Sequence, residues 1–345
     1  MQNLFGGKQP LGVVYNTAMS RPDAALALAF VYGLAGRREA RIGSVCVNGA
    51  GLGAATFCDI VGQFYTPGPP RNANQVLPTG LAADGPLAVD PPMVQAALDR
   101  KKDDGTLRYN RTIKRVSDTS VAEAVLRNGV IFNAEAVMIL SAPATYLAKS
   151  LELHGVRELY ERRVKMLVVV DAGGRQDVPA MRRILAEWPT PIVFCGPAVG
   201  TDLKWPTATL EKDFAWSPEN PVVDAVKAFR AGPYDAPLWD LAAILHAVHP
   251  ADGHFQTQAG NLTVADDGSL SFAPGTGKHQ ALKVDPAKRD ATLKLLMEVA
   301  TAKPPAPQGP GRRPPQAAAQ QQRHVQVKQP GNAQAKLAYH ANART

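Results

Sequence analysis

Short apolar runs alternate with longer amphipathic or Ala/Leu-rich stretches along most of the chain. The runs at residues 11–15, 42–47, 137–140, 166–170 and 192–195 contain no charged residue. Such runs predict strands buried on both faces, as in a parallel sheet. Residues 23–34, 52–64, 120–128, 145–153, 178–187, 222–230 and 239–248 predict helices, and Pro22 suits the start of the first. Strand followed by helix, repeated this often, implies an open, mostly parallel α/β sheet with helices on both faces. Residues 67–91 are dense in Pro, Gly and Asn and predict a long loop over one edge. Residues 261–264 and 269–272 predict a small β-hairpin on a tight turn at Asp266, Asp267 and Gly268. A helix over residues 290–299 closes the body.

Composition sharpens the domain plan. The 345 residues are 45% hydrophobic but only 6% aromatic, so the core rests on Ala, Val, Leu and Ile. Residues 1–10 form an N-terminal extension, 11–300 the α/β domain and 301–345 a tail rich in Pro, Gln and Ala. The tail holds seven Lys and Arg and no Asp or Glu, leaving about +1 of the formal +8 for the body. A near-neutral body argues against a nucleic-acid-binding globular surface. The tail has the composition of a disordered segment, apart from a short transient helix at 333–343, and suits an acidic partner or nucleic acid. No run approaches the roughly 20 apolar residues of a membrane span. The first ten residues do not read as a signal sequence, so the expected location is cytoplasmic. Cys46, Cys58 and Cys195 are widely spaced, which fits buried free thiols better than a structural zinc site.

Four segments, in order, resemble the inosine–uridine-preferring nucleoside hydrolases. They are Asp23 opening the Ala/Leu-rich helix; the strand at 137–140 ending in Ser141, Ala142 and Pro143; residues 176–196; and Asn220 with residues 229–233 and Leu238, Trp239 and Asp240. The resemblance covers residues 11–296. It implies a nucleoside-hydrolase-like fold, hydrolysis of the N-glycosidic bond of a purine or pyrimidine ribonucleoside, and a homo-oligomer. It also implies calcium at the carboxyl ends of the strands, orienting a water and gripping the ribose hydroxyls. By resemblance Asp23 and Gln176 face the substrate, Asp240 and the backbone at Ser141 face the metal, and His246 is a candidate leaving-group acid. Asp23 and Asp240 are the carboxylates left for catalysis.

Against the family's opening pattern, Asp-x-Asp-x-Gly-x-Asp-Asp, this chain departs sharply. Thr17 and Met19 stand at the first two aspartates, Arg21 at the glycine, Asp23 at the third aspartate and Ala24 at the fourth. Met19 cannot take a proton from water, and Ala24 cannot bind metal. Arg21 brings a positive charge to the place of a divalent cation, and an Arg21–Asp23 pair is a local substitute for the ion. Calcium takes roughly six to eight oxygens, several of them anionic, so one or two carboxylates make at best a weak site. Two expectations stand side by side: an N-ribosyl hydrolase with a weak or absent ion, and a catalytically inactive relative serving as a binding or assembly subunit.

Three further motifs carry candidate chemistry. Gly49, Gly51 and Gly53 after the second strand resemble a dinucleotide-binding turn, but in Gly-x-Gly-x-Gly spacing; a tight strand-to-helix turn explains them equally well. Residues 274–280 resemble a phosphate loop only faintly, with His279 in place of its Ser or Thr. His246 and His249, three apart at a helix end, are candidates for a shared metal or for a favourable helix-dipole contact.

Overall fold

A computed structural model describes residues 9–49, 51–66, 77–82 and 89–304. Its strands are β1 Leu11–Thr17, β2 Ala40–Val47, β3 Thr79–Leu81, β4 Ser120–Val121, β5 Ala136–Ser141, β6 Val164–Val170, β7 Ile192–Cys195, β8 Lys204–Pro206, β9 Asp235–Pro237, β10 Phe255–Val264, β11 Leu270–Pro274 and β12 His279–Val284. The helices are α1 Pro22–Gly36, α2 Leu52–Tyr65, α3 Pro92–Asp99, α4 Ala122–Ile131, α5 Thr145–Ser150, α6 Val156–Arg163, α7 Val178–Glu187, α8 Pro197–Asp202, α9 Leu210–Asp213, α10 Pro221–Phe229, α11 Trp239–Val248 and α12 Arg289–Ala300.

Ten strands form one sheet in the order β11-β10-β12-β7-β6-β5-β1-β2-β3-β4, and β8 and β9 form a separate pair. From β7 through β4 every pairing is parallel; β12 joins β7 in parallel, and β10 pairs antiparallel with both β12 and β11. The chain winds outward from β1 in both directions, so the β1–β5 boundary is the point where strand order reverses. In open α/β sheets that crevice, at the carboxyl ends of the strands, is where ligands bind.

Both faces are covered. Val13 and Tyr15 point into one core with α1, α2 and α11, while Val14 points into the other with Met138, Leu126 and Tyr160. Helix α1 is buried nearly all round, which its Ala/Leu composition permits. Gly33 lets α12 approach it: a Cβ there would stand 1.9 Å from the Val299 carbonyl oxygen.

The structure revises several expected elements. The predicted loop at 67–91 contains β3, with residues 67–76 and 83–88 outside the described set. The helix expected from residue 120 begins at Ala122, after the two-residue β4. The helix expected over 145–153 stops at Ser150, and α6 follows. The hairpin forms on the expected turn, with Val264 opposite Leu270, but β12 ties it to the main sheet. The chain divides into units Met1–Pro305 and Ala306–Thr345, and the tail's expected helix lies outside the described residues. Among the described residues no helix is long and apolar enough to cross a membrane.

Candidate functional site

At the β1–β5 reversal, Thr17 and Ser141 end their strands side by side. Beyond Thr17 the chain makes a tight turn into α1. Met19 takes a left-handed φ of 52°, its N–H donating to Thr17 Oγ1 at 3.0 Å, and its side chain is wholly buried. A left-handed non-glycine residue costs of order 1 kcal/mol, held here by the surrounding packing. The turn delivers Arg21 to the N-cap of α1 and Asp23 to its first turn. Asp240 enters from the first turn of α11.

These residues form one closed network. Arg21 Nε donates to Asp23 Oδ1 at 3.1 Å, and Nη2 donates to Ser141 Oγ at 2.8 Å and Asp240 Oδ1 at 3.2 Å. Ser141 Oγ also donates to Asp240 Oδ1, at 2.5 Å, and the Tyr15 hydroxyl donates to Asp240 Oδ2 at 2.5 Å. The Asp240 backbone N–H donates to Asp23 Oδ2 at 3.2 Å, tying the start of α11 to the start of α1. Every carboxylate oxygen therefore has a donor from the chain itself. Both carboxylates are buried, while the Arg21 side chain keeps 22% exposure. Its guanidinium carbon lies 5.8 Å from the Trp239 ring centroid, within cation–π range.

Electrostatics follow from this packing. Burial opposes the Arg21 charge, but Asp23 and Asp240 outweigh it and hold the guanidinium more firmly protonated than in water. Burial raises the Asp23 carboxyl to about 7, with Arg21 pulling down and Asp240 pushing up. Both Asp23 oxygens nonetheless accept from N–H donors, which suits the carboxylate form. Burial, and then Asp240, raise the Tyr15 hydroxyl well above its usual value, so it stays a donor.

Calcium does not fit this donor set. The cluster's two carboxylates are spent on Arg21, Ser141, Tyr15 and a backbone amide, and a cation already stands between them. Met19 and Ala24 offer nothing where the resemblance expects ligands. Among the described residues, no group of three or more His, Cys, Asp or Glu side chains is placed to hold a metal ion.

The other candidates sit elsewhere. Gln176 Oε1 accepts from the Ala144 N–H at 3.1 Å, and the Gln176 N–H donates to the Gly268 carbonyl at 2.9 Å, so the residue links the β5–α5 turn to the hairpin tip. Gly268, at φ 81°, is required there: a Cβ would lie 2.7 Å from the Gln176 carbonyl oxygen. His246 is six residues beyond Asp240, about 9 Å along the helix axis. It packs edge-on against Phe255, and burial lowers its pKa to about 4. His249 does not join it on a metal; its Nε2 meets Glu39 Oε2 at 2.9 Å. At the glycine-rich turn, the N–H groups of Gly53 and Ala54 donate to the two Asp90 oxygens at 2.8 Å each. An internal carboxylate thus fills the position a cofactor phosphate needs. Cys46, Cys58 and Cys195 are all free and buried. Tyr15 is the network member that sequence reasoning missed; as one apolar-looking position of a buried strand it gave no signal.

Against solved structures, the chain matches a plant nucleoside hydrolase at TM-score 0.59 and 16% identity, covering 85% of this chain and 99% of that one. It matches the inosine-uridine preferring nucleoside hydrolase from Bacillus anthracis at TM-score 0.55 and 13% identity, over 84% and 99% of the two chains. It also matches the type III effector protein XopQ, solved in complex with adenosine diphosphate ribose, at TM-score 0.56 and 12% identity, over 87% and 96%. No family model and no curated protein sequence matches. The chain has the nucleoside hydrolase fold, as expected from the order of its motifs.

Proposed function

We propose that this chain is a non-hydrolysing protein on the nucleoside hydrolase fold, serving as a binding or assembly subunit. One observation carries the reading: the Arg21 guanidinium is bonded to Asp23, Ser141 and Asp240 together, at the carboxyl ends of β1 and β5. A chain that neutralises its remaining carboxylates internally has no anionic set to offer calcium, and Met19 supplies no base for water. Function lives in the site and not in the fold, so the fold likeness alone does not argue for turnover. The rival reading, hydrolysis of a ribonucleoside's N-glycosidic bond, draws on that likeness and on the raised Asp23 carboxyl.

Base release from inosine, uridine and 4-nitrophenyl riboside, at high protein concentration with and without calcium, separates the two. The expected result is release at the rate of the protein-free control. Sustained release that disappears in Asp240→Ala would establish the hydrolase instead.

A further inference from the structure

A cavity of about 450 Å³ lies between α2, α3 and the loop at residues 107–114, and the Arg21 network does not line it. That volume is in the range of small-molecule sites. Leu52, Leu98, Leu107 and Ile113 give it apolar walls, and Arg111 and Lys114 give it charge. Asp90 also lines it, but both its oxygens accept from the Gly53 and Ala54 N–H groups. The positive end of α2 partly offsets that carboxylate, and Arg111 and Lys114 bring two positive charges to the lining. Three neighbouring arginines are already matched: Arg100 pairs with Asp224, Arg108 with Glu219 and Arg115 with Asp118. Arg111 and Lys114 have no carboxylate partner among the described residues.

The segment between them is held firmly. Asp59, 1% exposed, accepts from the backbone N–H of Thr112 and of Ile113 and from the Thr112 hydroxyl. The Thr56 hydroxyl also meets the Ile113 carbonyl, at 3.3 Å. A buried carboxylate anchored on α2 therefore pre-positions the two flanking cations, which lowers the ordering cost of binding.

We propose that this cavity binds a small organic phosphate, its phosphate on Arg111 and Lys114 and its apolar body against Leu98, Leu107 and Ile113. Phosphate-type recognition by a guanidinium is charge-assisted and directional, and the apolar walls add affinity for an organic body. The proposal is independent of whether the Arg21 site turns substrate over.

The test is titration calorimetry of the full chain with phenyl phosphate and, separately, inorganic phosphate. Phenyl phosphate is expected to bind about tenfold or more tightly than inorganic phosphate, because only it fills the apolar part. The double variant Arg111→Ala, Lys114→Ala, both on the loop surface, is expected to weaken phenyl phosphate by about tenfold or more. Leu107→Ser, at a position already 39% exposed, is expected to narrow the gap between the two ligands. Melting curves check that each variant folds. Absence of phenyl phosphate binding at millimolar concentration overturns the proposal. So does binding that persists unchanged in the double variant, which would place the anion elsewhere, such as on the basic residues of the 301–345 segment.

Discussion

Replacing Arg21 with alanine removes the one cation from a buried group that retains Asp23 and Asp240. Three hydrogen bonds go at once, those from Nε to Asp23 and from Nη2 to Ser141 and Asp240. Two carboxylates linked through the Asp240 amide are then left without a counter-charge. Breaking a buried ion pair from one side costs about 3–5 kcal/mol. The guanidinium keeps 22% exposure, so solvent screening places the expected loss near the low end, about 3 kcal/mol. At about 2–4 °C per kcal/mol for a large domain, the melting temperature falls by about 6–12 °C. Arg21→Lys is expected to lie between the two, because a point charge does not span three acceptors as a planar fork does. Millimolar calcium is expected to restore part of the loss in Arg21→Ala, where the carboxylates are freed, and to leave the wild-type melt unchanged. Thermal unfolding followed by circular dichroism reads all of this. An Arg21→Ala protein melting within a degree of wild type would refute the claim that the guanidinium holds the site together.

Other outcomes follow from the same structure. Tyr15→Phe leaves Asp240 Oδ2 buried without its hydroxyl donor and is expected to lower stability by about 1–3 kcal/mol in urea unfolding; an unchanged midpoint and slope contradict the role given to Tyr15. His246 has its pKa lowered by burial to about 4 from an ordinary 6.5, so the unfolded chain binds its proton first. Its contribution is intact above pH 6.5 and is lost as pH falls toward 4, by about 3 kcal/mol at most. His246→Phe, measured by urea unfolding at several pH values, should remove that part of the acid sensitivity; a variant that tracks wild type across the window refutes the assignment. Gly33→Ala drives a methyl into the Val299 carbonyl and is expected to cost about 2 kcal/mol or more. A neutral result in chemical unfolding shows that α12 can shift away.

The sheet was legible because its central strands are short, uncharged and separated by helices with clear starts. Strand β7 and helices α7 and α11 fall where the apolar pattern puts them. Strands β3 and β4, of three and two residues, carry too few positions to show a period. Strand β12 was hidden because its first residue, His279, lies in the glycine-rich stretch at 274–280 that faintly resembles a phosphate loop. Helix α6 was overlooked because its strongly polar composition buries only Val156, Leu159 and Tyr160. In the site, the Arg21–Asp23 pair was visible as two nearby charges. Its extension to Asp240 and Ser141 needed the fold, since residues 21, 141 and 240 meet only when β1, β5 and α11 are assembled. The resemblance made His246 a candidate leaving-group acid, but the helix carries it about 1.7 turns beyond Asp240, where it is buried.

We propose that the Arg21 side chain occupies the place where the family resemblance implies a divalent cation. Calcium titration calorimetry on the wild-type protein tests it most directly. The account predicts no saturable heat up to millimolar calcium at neutral pH. A single-site isotherm with micromolar affinity, abolished by Asp240→Ala, would contradict it.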